Sequence, residues 1–424
     1  MTDAPSPHPV EAPPTAADVA YAAARLRTVV RQTALEPSER LSRQAGVPVL
    51  LKREDTQLCR SYKVRGAYNF ISSLSPEERR RGVVCASAGN HAQGVAYACR
   101  ELGIHGKVFL PTNTPRQKRR RIEQIGGEWI TPVIVGRSYD EANRAAVADS
   151  RETGALFVHP FDAPRTIAGQ GTVAVEILEA LPEVDTIVVP VGGGGLLAGV
   201  CLWVRENRPG VRIVGVEPAG APSMQAALDA GLPVALPEID TFVDGAAVGR
   251  VGDTSFAVAA GLVDQIVSVP EGAVCTEMLE LYQNEGIIAE PAGALASAAL
   301  RGYLDHRPEG PVVCIVSGGN NDVSRYADIL ERSLIHEGLR HYFLVTFPQE
   351  PGALRGFLTD VLAEGEDIVL FEYVKKNNRE TGPALVGIEI DDAGGLPSLL
   401  ERIAASPLQI DRVQPGTPLS GFLL

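Results

Sequence analysis

The chain has 424 residues, of which 45% are hydrophobic and 21% are charged, and its 39 Lys and Arg residues are outnumbered by 52 Asp and Glu residues. This composition is typical of an ordered globular protein with more than one domain. The net charge of -13 would repel nucleic acid and anionic membrane surfaces, so we expect neither as a partner.

The amino-terminal segment resembles no targeting sequence. Residues 1–15 lack Lys, Arg and an apolar core, so neither a secretory signal nor a transit peptide is predicted, and we interpret these residues as a flexible tail. The six cysteines are dispersed and form no C-x-x-C pair, which disfavours both disulfides and a structural zinc site. Together these features predict a cytoplasmic protein.

Residues 16–325 alternate between short β-branched runs and Ala- and Leu-rich stretches, a pattern that predicts parallel sheets covered by helices. We predict strands at 83–85, 107–110, 187–191, 211–216 and 312–316. Gly, Ser and Asn residues follow several of them, at the sheet edge where open α/β proteins bind ligands. The length favours an α/β body with two lobes, the smaller at approximately 70–165, and a cleft between them.

The carboxyl-terminal part has a different order of elements. Strands at 340–347, 367–376, 383–391 and 409–413 alternate with helices at 350–362 and 396–405. This βαββαβ order predicts a ferredoxin-like domain over 339–424, preceded by a mostly helical linker at 326–338.

A four-glycine loop, Gly192, Gly193, Gly194 and Gly195, follows one apolar strand and precedes a helix predicted from Leu196. Backbone N–H groups at such a helix start bind phosphate. The loop also fits the G-x-G-x-x-A pattern, and Glu217 ends the next strand, where a dinucleotide site would place the acid that binds its ribose. From the loop alone, a dinucleotide-dependent oxidoreductase therefore remains an alternative.

Lys63 lies in the segment Ser-Tyr-Lys-Val-Arg-Gly-Ala at 61–67. This segment resembles the cofactor-lysine segment of the fold-type II pyridoxal-phosphate enzymes, and especially that of the threonine dehydratases. The resemblance continues in the family's order through Ser-Ala-Gly-Asn-His-Ala-Gln-Gly at 87–94, the glycine loop, Glu-Pro-Ala-Gly-Ala at 290–294 and Ser-Gly-Gly-Asn at 317–320. It therefore covers most of the predicted α/β body.

The resemblance implies a set of site residues in a two-lobed fold-type II body. Lys63 would bind pyridoxal phosphate as a Schiff base, and the glycine loop with Leu196 would hold the cofactor phosphate. Asn90 would bond the ring hydroxyl, and Ser317 would bond the pyridine nitrogen. Glu290 is expected to be an acid in the pocket. The substrate carboxylate would lie at the segment Ser87, Ala88, Gly89, Asn90 and His91, although a histidine in this position is more often packed inside the protein.

The resemblance also implies the reaction, the deamination of L-threonine by β-elimination of water to give 2-oxobutanoate and ammonia at the start of isoleucine biosynthesis. The neutral hydroxyl of Ser317 favours β-elimination over transamination. Ala88 stands where the related serine racemases have a second serine, which disfavours racemisation. A serine-preferring dehydratase remains an alternative, because one methyl group changes binding by only about 1–3 kcal/mol. A catalytically silent amino-acid sensor is a further alternative, but neither it nor the oxidoreductase would need Lys63.

Two other features receive no ligand. Some relatives bind a divalent cation after a Glu-Pro pair at a strand end, but the residues after Glu217 and Pro218 include no such acid, so we predict no metal site. The basic cluster, defined as Arg116, Lys118, Arg119, Arg120 and Arg121, is interpreted as a solvated helix surface or a contact between subunits.

The carboxyl-terminal unit resembles the regulatory ACT-like domain of biosynthetic threonine dehydratases. Its turn at Glu350 to Leu354 lies where such domains often bind an amino acid. The resemblance implies isoleucine, and valine as a second effector, at a site shared between the chains of a homodimer or homotetramer.

Overall fold

The computed structural model describes residues 12–373, 380–414 and 417. The chain divides into two compact units, of which the first contains the residues up to 271 together with 280–322, and the second contains 272–279 and the residues from 323 onward. Most of the predicted tail, and residues 374–376 of a predicted strand, lie outside the described residues. Thr15 caps the first helix through a hydrogen bond with Asp18. The domain boundaries drawn from the sequence stay predictions.

The strands of the described residues are, in chain order, β1 (Leu35–Pro37), β2 (Val49–Arg53), β3 (Val83–Ala86), β4 (Gly106–Leu110), β5 (Ile130–Ile134), β6 (Leu156–Phe157), β7 (Thr186–Pro190), β8 (Arg212–Pro218), β9 (Gln265–Val269), β10 (Val312–Val316), β11 (Arg340–Pro348), β12 (Glu366–Tyr373), β13 (Thr381–Ile390) and β14 (Gln409–Arg412).

The α-helices of the same residues are α1 (Ala16–Leu26), α2 (Glu39–Ala45), α3 (Lys63–Ser72), α4 (Pro76–Arg81), α5 (Asn90–Leu102), α6 (Arg116–Gly126), α7 (Tyr139–Thr153), α8 (Pro164–Ala180), α9 (Gly195–Asn207), α10 (Ser223–Ala230), α11 (Asp253–Ala259), α12 (Glu271–Glu285), α13 (Pro291–Ala298), α14 (Tyr326–His336), α15 (Ala353–Val361) and α16 (Leu396–Ala405).

The larger sheet of the first unit has the order β1-β2-β10-β7-β8-β9. All its strands are parallel except β1. Every residue of β7 and β10 is buried, as expected for central parallel strands covered by helices on both faces. Because β10 lies between β2 and β7, the chain segments that leave these three strands meet at one edge of the sheet.

A second parallel sheet in the same unit has the order β5-β4-β3-β6. It encloses its own hydrophobic core, in which Val83, Cys85 and Val108 of the strands pack with Val95 and Cys99 of α5. The two sheets confirm the predicted α/β body and place the segment after β3, which contains Asn90, at the start of α5.

The second unit contains the antiparallel sheet β12-β13-β11-β14. Alternate residues of β11, namely Phe343, Val345 and Phe347, are buried against Phe357 of α15 and Leu399 of α16. This alternation is typical of a sheet that is covered by helices on one face. The order β11, α15, β12, β13, α16, β14 confirms the predicted βαββαβ arrangement.

Within the described residues, no helix has both the length and the apolar character needed to cross a membrane. Residues 186–204, which include no charged side chain, comprise β7, Val191, the glycine loop and most of α9.

Candidate active site

Lys63 lies at the first position of α3, next to the segment that leaves β10. The pairing of β2 with β10 brings the two segments together, so that Ser61 bridges Gly318 and the backbone N–H of Tyr62 donates to the carbonyl oxygen of Ser317 at 3.1 Å. The Lys63 Nζ donates to the carbonyl oxygen of Pro160 at 3.0 Å.

The environment of Lys63 favours the neutral amine. Burial lowers the pKa of Lys63 to about 8, and the charge of Glu290 opposes part of this shift. A lysine with a lowered pKa can act as a nucleophile and as a general base near neutral pH. The lowered pKa is what the predicted Schiff-base role of Lys63 requires, and the role itself stays a prediction.

The glycine loop lies at the start of α9, where Gly194 has φ +92°. A Cβ atom on Gly193 would lie 2.3 Å from the ring of Phe161, and one on Gly195 would lie 2.4 Å from the Phe161 carbonyl oxygen. The residues from Gly193 to Leu196 are buried, yet their N–H groups donate to no other described residue. The loop is therefore a close-packed cradle whose hydrogen-bond donors are available to an anion.

The segment after β3 reaches the same place. The Asn90 Nδ2 donates to Glu290 Oε1 at 2.6 Å, and the side chain of Asn320 donates to Asn90 Oδ1 at 2.7 Å. Ser87 is partly buried, and its hydroxyl accepts a hydrogen bond from the Gly89 N–H at 3.2 Å.

His91 differs from its neighbours. It is buried, and its Nε2 bonds the carbonyl oxygen of Val158 at 2.7 Å. Burial lowers the pKa of His91 to about 3, so the ring is neutral. It has the packed character that the sequence favours for this side chain.

Glu290 and Ser317 are both buried. The pKa of Glu290 is raised to about 7, mainly by burial and secondly by the charge of Asp244. The Ser317 hydroxyl donates to the Ala292 carbonyl oxygen at 3.1 Å. A Cβ atom on Gly318 would lie 2.1 Å from Glu290 Oε1, so a larger residue there would displace this carboxyl group.

The comparisons with known proteins agree with this geometry. Residues 26–318 match the model of the family described as "Pyridoxal-phosphate dependent enzyme". The chain belongs to this family. Residues 331–423 match the model described as "C-terminal regulatory domain of Threonine dehydratase".

Three individual proteins illustrate the similarity. The chain is 58% identical over 411 residues, 96% of both chains, to the "L-threonine dehydratase biosynthetic IlvA" of Mycobacterium tuberculosis. The structure of the processed threonine deaminase isoform 2 of Solanum lycopersicum superposes with a TM-score of 0.72 at 36% identity, covering 79% of this chain and 96% of that one. Maize serine racemase superposes with a TM-score of 0.70 at 33% identity, covering 76% of this chain and 98% of that one.

The residues present fit the cofactor of the pyridoxal-phosphate-dependent enzymes. The glycine loop offers buried N–H groups that suit a phosphate, and Lys63 offers an amine of lowered pKa. Glu217, the candidate ribose-binding acid of a dinucleotide site, has another task in the structure. Its buried carboxylate accepts hydrogen bonds from the N–H groups of Met224 and Gln225 at the start of α10. Among the described residues, no group of three or more His, Cys, Asp or Glu side chains could hold a metal ion.

Two sets of contacts in this pyridoxal-phosphate-dependent enzyme are not predicted from its sequence. Pro160 and Phe161 lie against Lys63 and the glycine loop, but their segment contains no glycine or acid pattern that marks a site. Lys118 is interpreted with its basic neighbours as part of a solvated helix surface or a subunit contact, and the 3.3 Å approach of its Nζ to Asp244 Oδ2 is not predicted. Its position after β4, at the same sheet edge as Asn90, is the signal that could have separated it from the cluster.

Proposed function

We propose that this chain is a biosynthetic threonine dehydratase, which converts L-threonine to 2-oxobutanoate and ammonia through β-elimination of water and hydrolysis of the resulting enamine. The observation that carries the proposal is the 58% identity, over 96% of both chains, to a protein named L-threonine dehydratase. Lys63 and the glycine loop at one edge of the larger sheet, together with the Asn90 segment that reaches Glu290 from the second sheet, support it. The buried state of all six free cysteines is compatible with the cytoplasmic location that we propose.

Each residue of the site has a proposed task. Pyridoxal phosphate, when bound, withdraws electrons from the Cα of an amino acid and so makes its proton acidic. The backbone N–H groups from Gly193 to Leu196 bind the phosphate, Asn90 and Ser317 orient the ring, and the amine of Lys63 binds the cofactor and then takes up the Cα proton.

The substrate carboxylate is proposed to bind at the segment from Ser87 to His91. The start of α5 provides backbone N–H groups and the positive end of the helix, both of which suit a carboxylate. Loss of the Cα proton to Lys63 and of the β-hydroxyl as water leaves an enamine. Hydrolysis of the enamine consumes one water and yields 2-oxobutanoate and ammonia.

Elimination is favoured over racemisation by the side chain of Ala88. A racemase needs a second acid or base on the face opposite the lysine, and the methyl group of Ala88 cannot transfer a proton. The similarity to maize serine racemase therefore reflects the shared fold in this proposal, and L-serine is an alternative substrate for elimination.

The catalytic proposal is tested by Lys63→Ala. We expect loss of 2-oxobutanoate formation from threonine by a factor of about 10³ or more, because the general base alone contributes about 10²–10⁴. The visible absorption of the lysine-bound cofactor should disappear as well. Lys107→Ala, which changes a lysine paired with Asp149, is the matched control and should keep both. Retained turnover in Lys63→Ala would refute the assignment.

We further propose feedback regulation through the carboxyl-terminal unit. The match of residues 331–423 to the regulatory domain of threonine dehydratase supports an amino-acid effector, and isoleucine, with valine as a second ligand, is proposed at the turn from Glu350 to Leu354. The assembly proposed is a homodimer or homotetramer. Calorimetry with isoleucine tests the effector, and the absence of both binding and inhibition would refute it.

A further inference from the structure

An ion pair at the candidate site joins α6, which packs with the second sheet, to the loop between α10 and α11. Lys118 of α6 lies with its Nζ 3.3 Å from Oδ2 of Asp244, a residue that follows it by 126 positions. The side chains are 28% and 48% exposed, so solvent and salt reach the pair. Such a pair opens at a cost that is small compared with that of a buried contact.

The acidic partner belongs to a tight turn, 243–247, that lines the site. A Cβ atom on Gly245 would lie 2.8 Å from the Cβ of Ala292 and 3.9 Å from Glu290 Oε1. A Cβ atom on Gly192 would lie 3.0 Å from the Cα of Ala246. The turn therefore lies between the glycine loop and the carboxyl group of Glu290.

The basic partner is connected to the same carboxyl group through a helix. Helix α6 packs against α5, and the first residue of α5, Asn90, donates to Glu290 Oε1 at 2.6 Å. The α5–α6 layer is thus joined to the opposite layer by the part-buried hydrogen bonds of Asn90 with Glu290 and Asn320 and by the exposed Lys118–Asp244 pair. The outer contact is the one that can open without exposing buried polar groups.

We propose that Lys118 and Asp244 are positioning residues, whose ion pair closes the two layers over the bound amino acid and holds Glu290 in place beside it. The inference rests on the proposed function for the identity of the substrate. It assigns Lys118 a role that the other members of the basic cluster do not share. Neither residue needs to touch the reacting atoms.

The charges of Lys118 and Asp244 also act on the pKa of Glu290, and this effect can be measured separately from substrate binding. The charged and titratable groups that face Glu290 are Lys63, Tyr62, Asp244 and Lys118. Asp244 raises the pKa of Glu290 and Lys118 lowers it. Removing the charge of Lys118 should therefore raise the pKa of Glu290, and removing the charge of Asp244 should lower it. General damage to the fold would not shift this pKa in opposite directions in the two variants.

The test compares the holoenzyme with Lys118→Glu, Asp244→Lys and the variant that carries both changes. We expect each single change to raise KM for threonine about tenfold with a smaller effect on kcat, and the exchanged pair to return KM to within about threefold of the parent. The neutral variants Lys118→Gln and Asp244→Asn should raise KM about two- to fivefold, the range of an exposed ion pair. In the pH profile of kcat/KM, the step that Glu290→Gln removes should move to higher pH in Lys118→Gln and to lower pH in Asp244→Asn.

Matched controls and a second readout separate this inference from the proposed function. The pair Lys107–Asp149, with Nζ and Oδ1 2.6 Å apart, joins β4 to α7, and its exchange should leave KM unchanged. Amide hydrogen exchange at 243–247 and at the start of α6 should be faster in Lys118→Glu and normal in the exchanged pair, whatever the substrate proves to be. A parent enzyme inactive on threonine would contradict the proposed function alone. Unrescued exchange variants, or pH shifts in the same direction, would overturn the positioning role.

Discussion

Glu290 is a residue of the candidate site whose pKa the fold moves close to neutral pH. Burial, followed by the charge of Asp244, raises its pKa from 4.5 to about 7. A carboxyl group with a higher pKa in the folded state binds its proton more tightly there, so stability falls as the pH rises from 4.5 to about 7. Above pH 7 the folded protein holds a carboxylate that would be better solvated in the unfolded chain.

Glu290→Gln should therefore stabilise the cofactor-free protein at pH 8. Glutamine keeps an oxygen that can accept the hydrogen bond from Asn90 and removes the buried charge, so we expect a gain of about 1–3 kcal/mol in the free energy of unfolding. The gain should fall towards zero as the pH approaches 4.5. Urea unfolding at a series of pH values measures it.

A carboxylate in another environment provides the control. Glu285 accepts hydrogen bonds from Ser38 and Arg40 at 3.0 and 3.1 Å, so Glu285→Gln loses an ion pair and should bring no gain at pH 8. If both variants gain equally, or if the gain of Glu290→Gln does not depend on pH, the buried carboxylate is not the cause.

At the scale of elements, local patterns predict the site's scaffold well. The predicted strand at 187–191, the glycine loop and the helix from Leu196 correspond to β7, the loop and α9 within one residue, because apolar runs and glycines are local signals. The contacts of Lys63 with Pro160 and of Lys118 with Asp244 were not predicted. They join residues 97 and 126 positions apart, which only the assembled sheets bring together.

The glycine loop yields a prediction of its own. In Gly193→Ala the new methyl group would lie 2.3 Å from the ring of Phe161, so the loop or the ring must move. Overpacking of this kind costs about 1–3 kcal/mol, and we expect weaker retention of pyridoxal phosphate because the N–H groups lose their alignment. Equilibrium dialysis of the cofactor measures the loss.

A smaller ring neighbour should reverse that loss. Phe161→Leu removes part of the clashing surface, so the combination with Gly193→Ala should retain the cofactor better than Gly193→Ala alone. Gly210→Ala is the matched control, because a Cβ atom there meets no heavy atom within 4 Å. Equal cofactor loss in the combined variant and in Gly193→Ala would show that contact with Phe161 does not determine the conformation of the glycine loop.

At the scale of the whole molecule, the proposed regulation requires that isoleucine and threonine affect each other's binding. Such a coupling is reciprocal in free energy and needs a ligand that binds one state of the protein better than another. The turn before α15 is the proposed effector site, and Gly352 there has φ +94° at the helix start. A non-glycine residue in this conformation is strained by about 1–2 kcal/mol.

Gly352→Ala should therefore favour a different conformation of the turn and weaken isoleucine binding. Each 1 kcal/mol of strain in the binding conformation should raise the isoleucine concentration needed for half-inhibition about fivefold. Gly356, one turn further along α15, is the matched control. A Cβ atom there lies no closer than 4.0 Å to another group, so Gly356→Ala should strengthen the helix by about 0.5–1 kcal/mol and leave inhibition unchanged. Threonine turnover without isoleucine should be normal in both variants, because neither residue belongs to the Lys63 site. Equal inhibition of the two variants would place the effector elsewhere than at this turn.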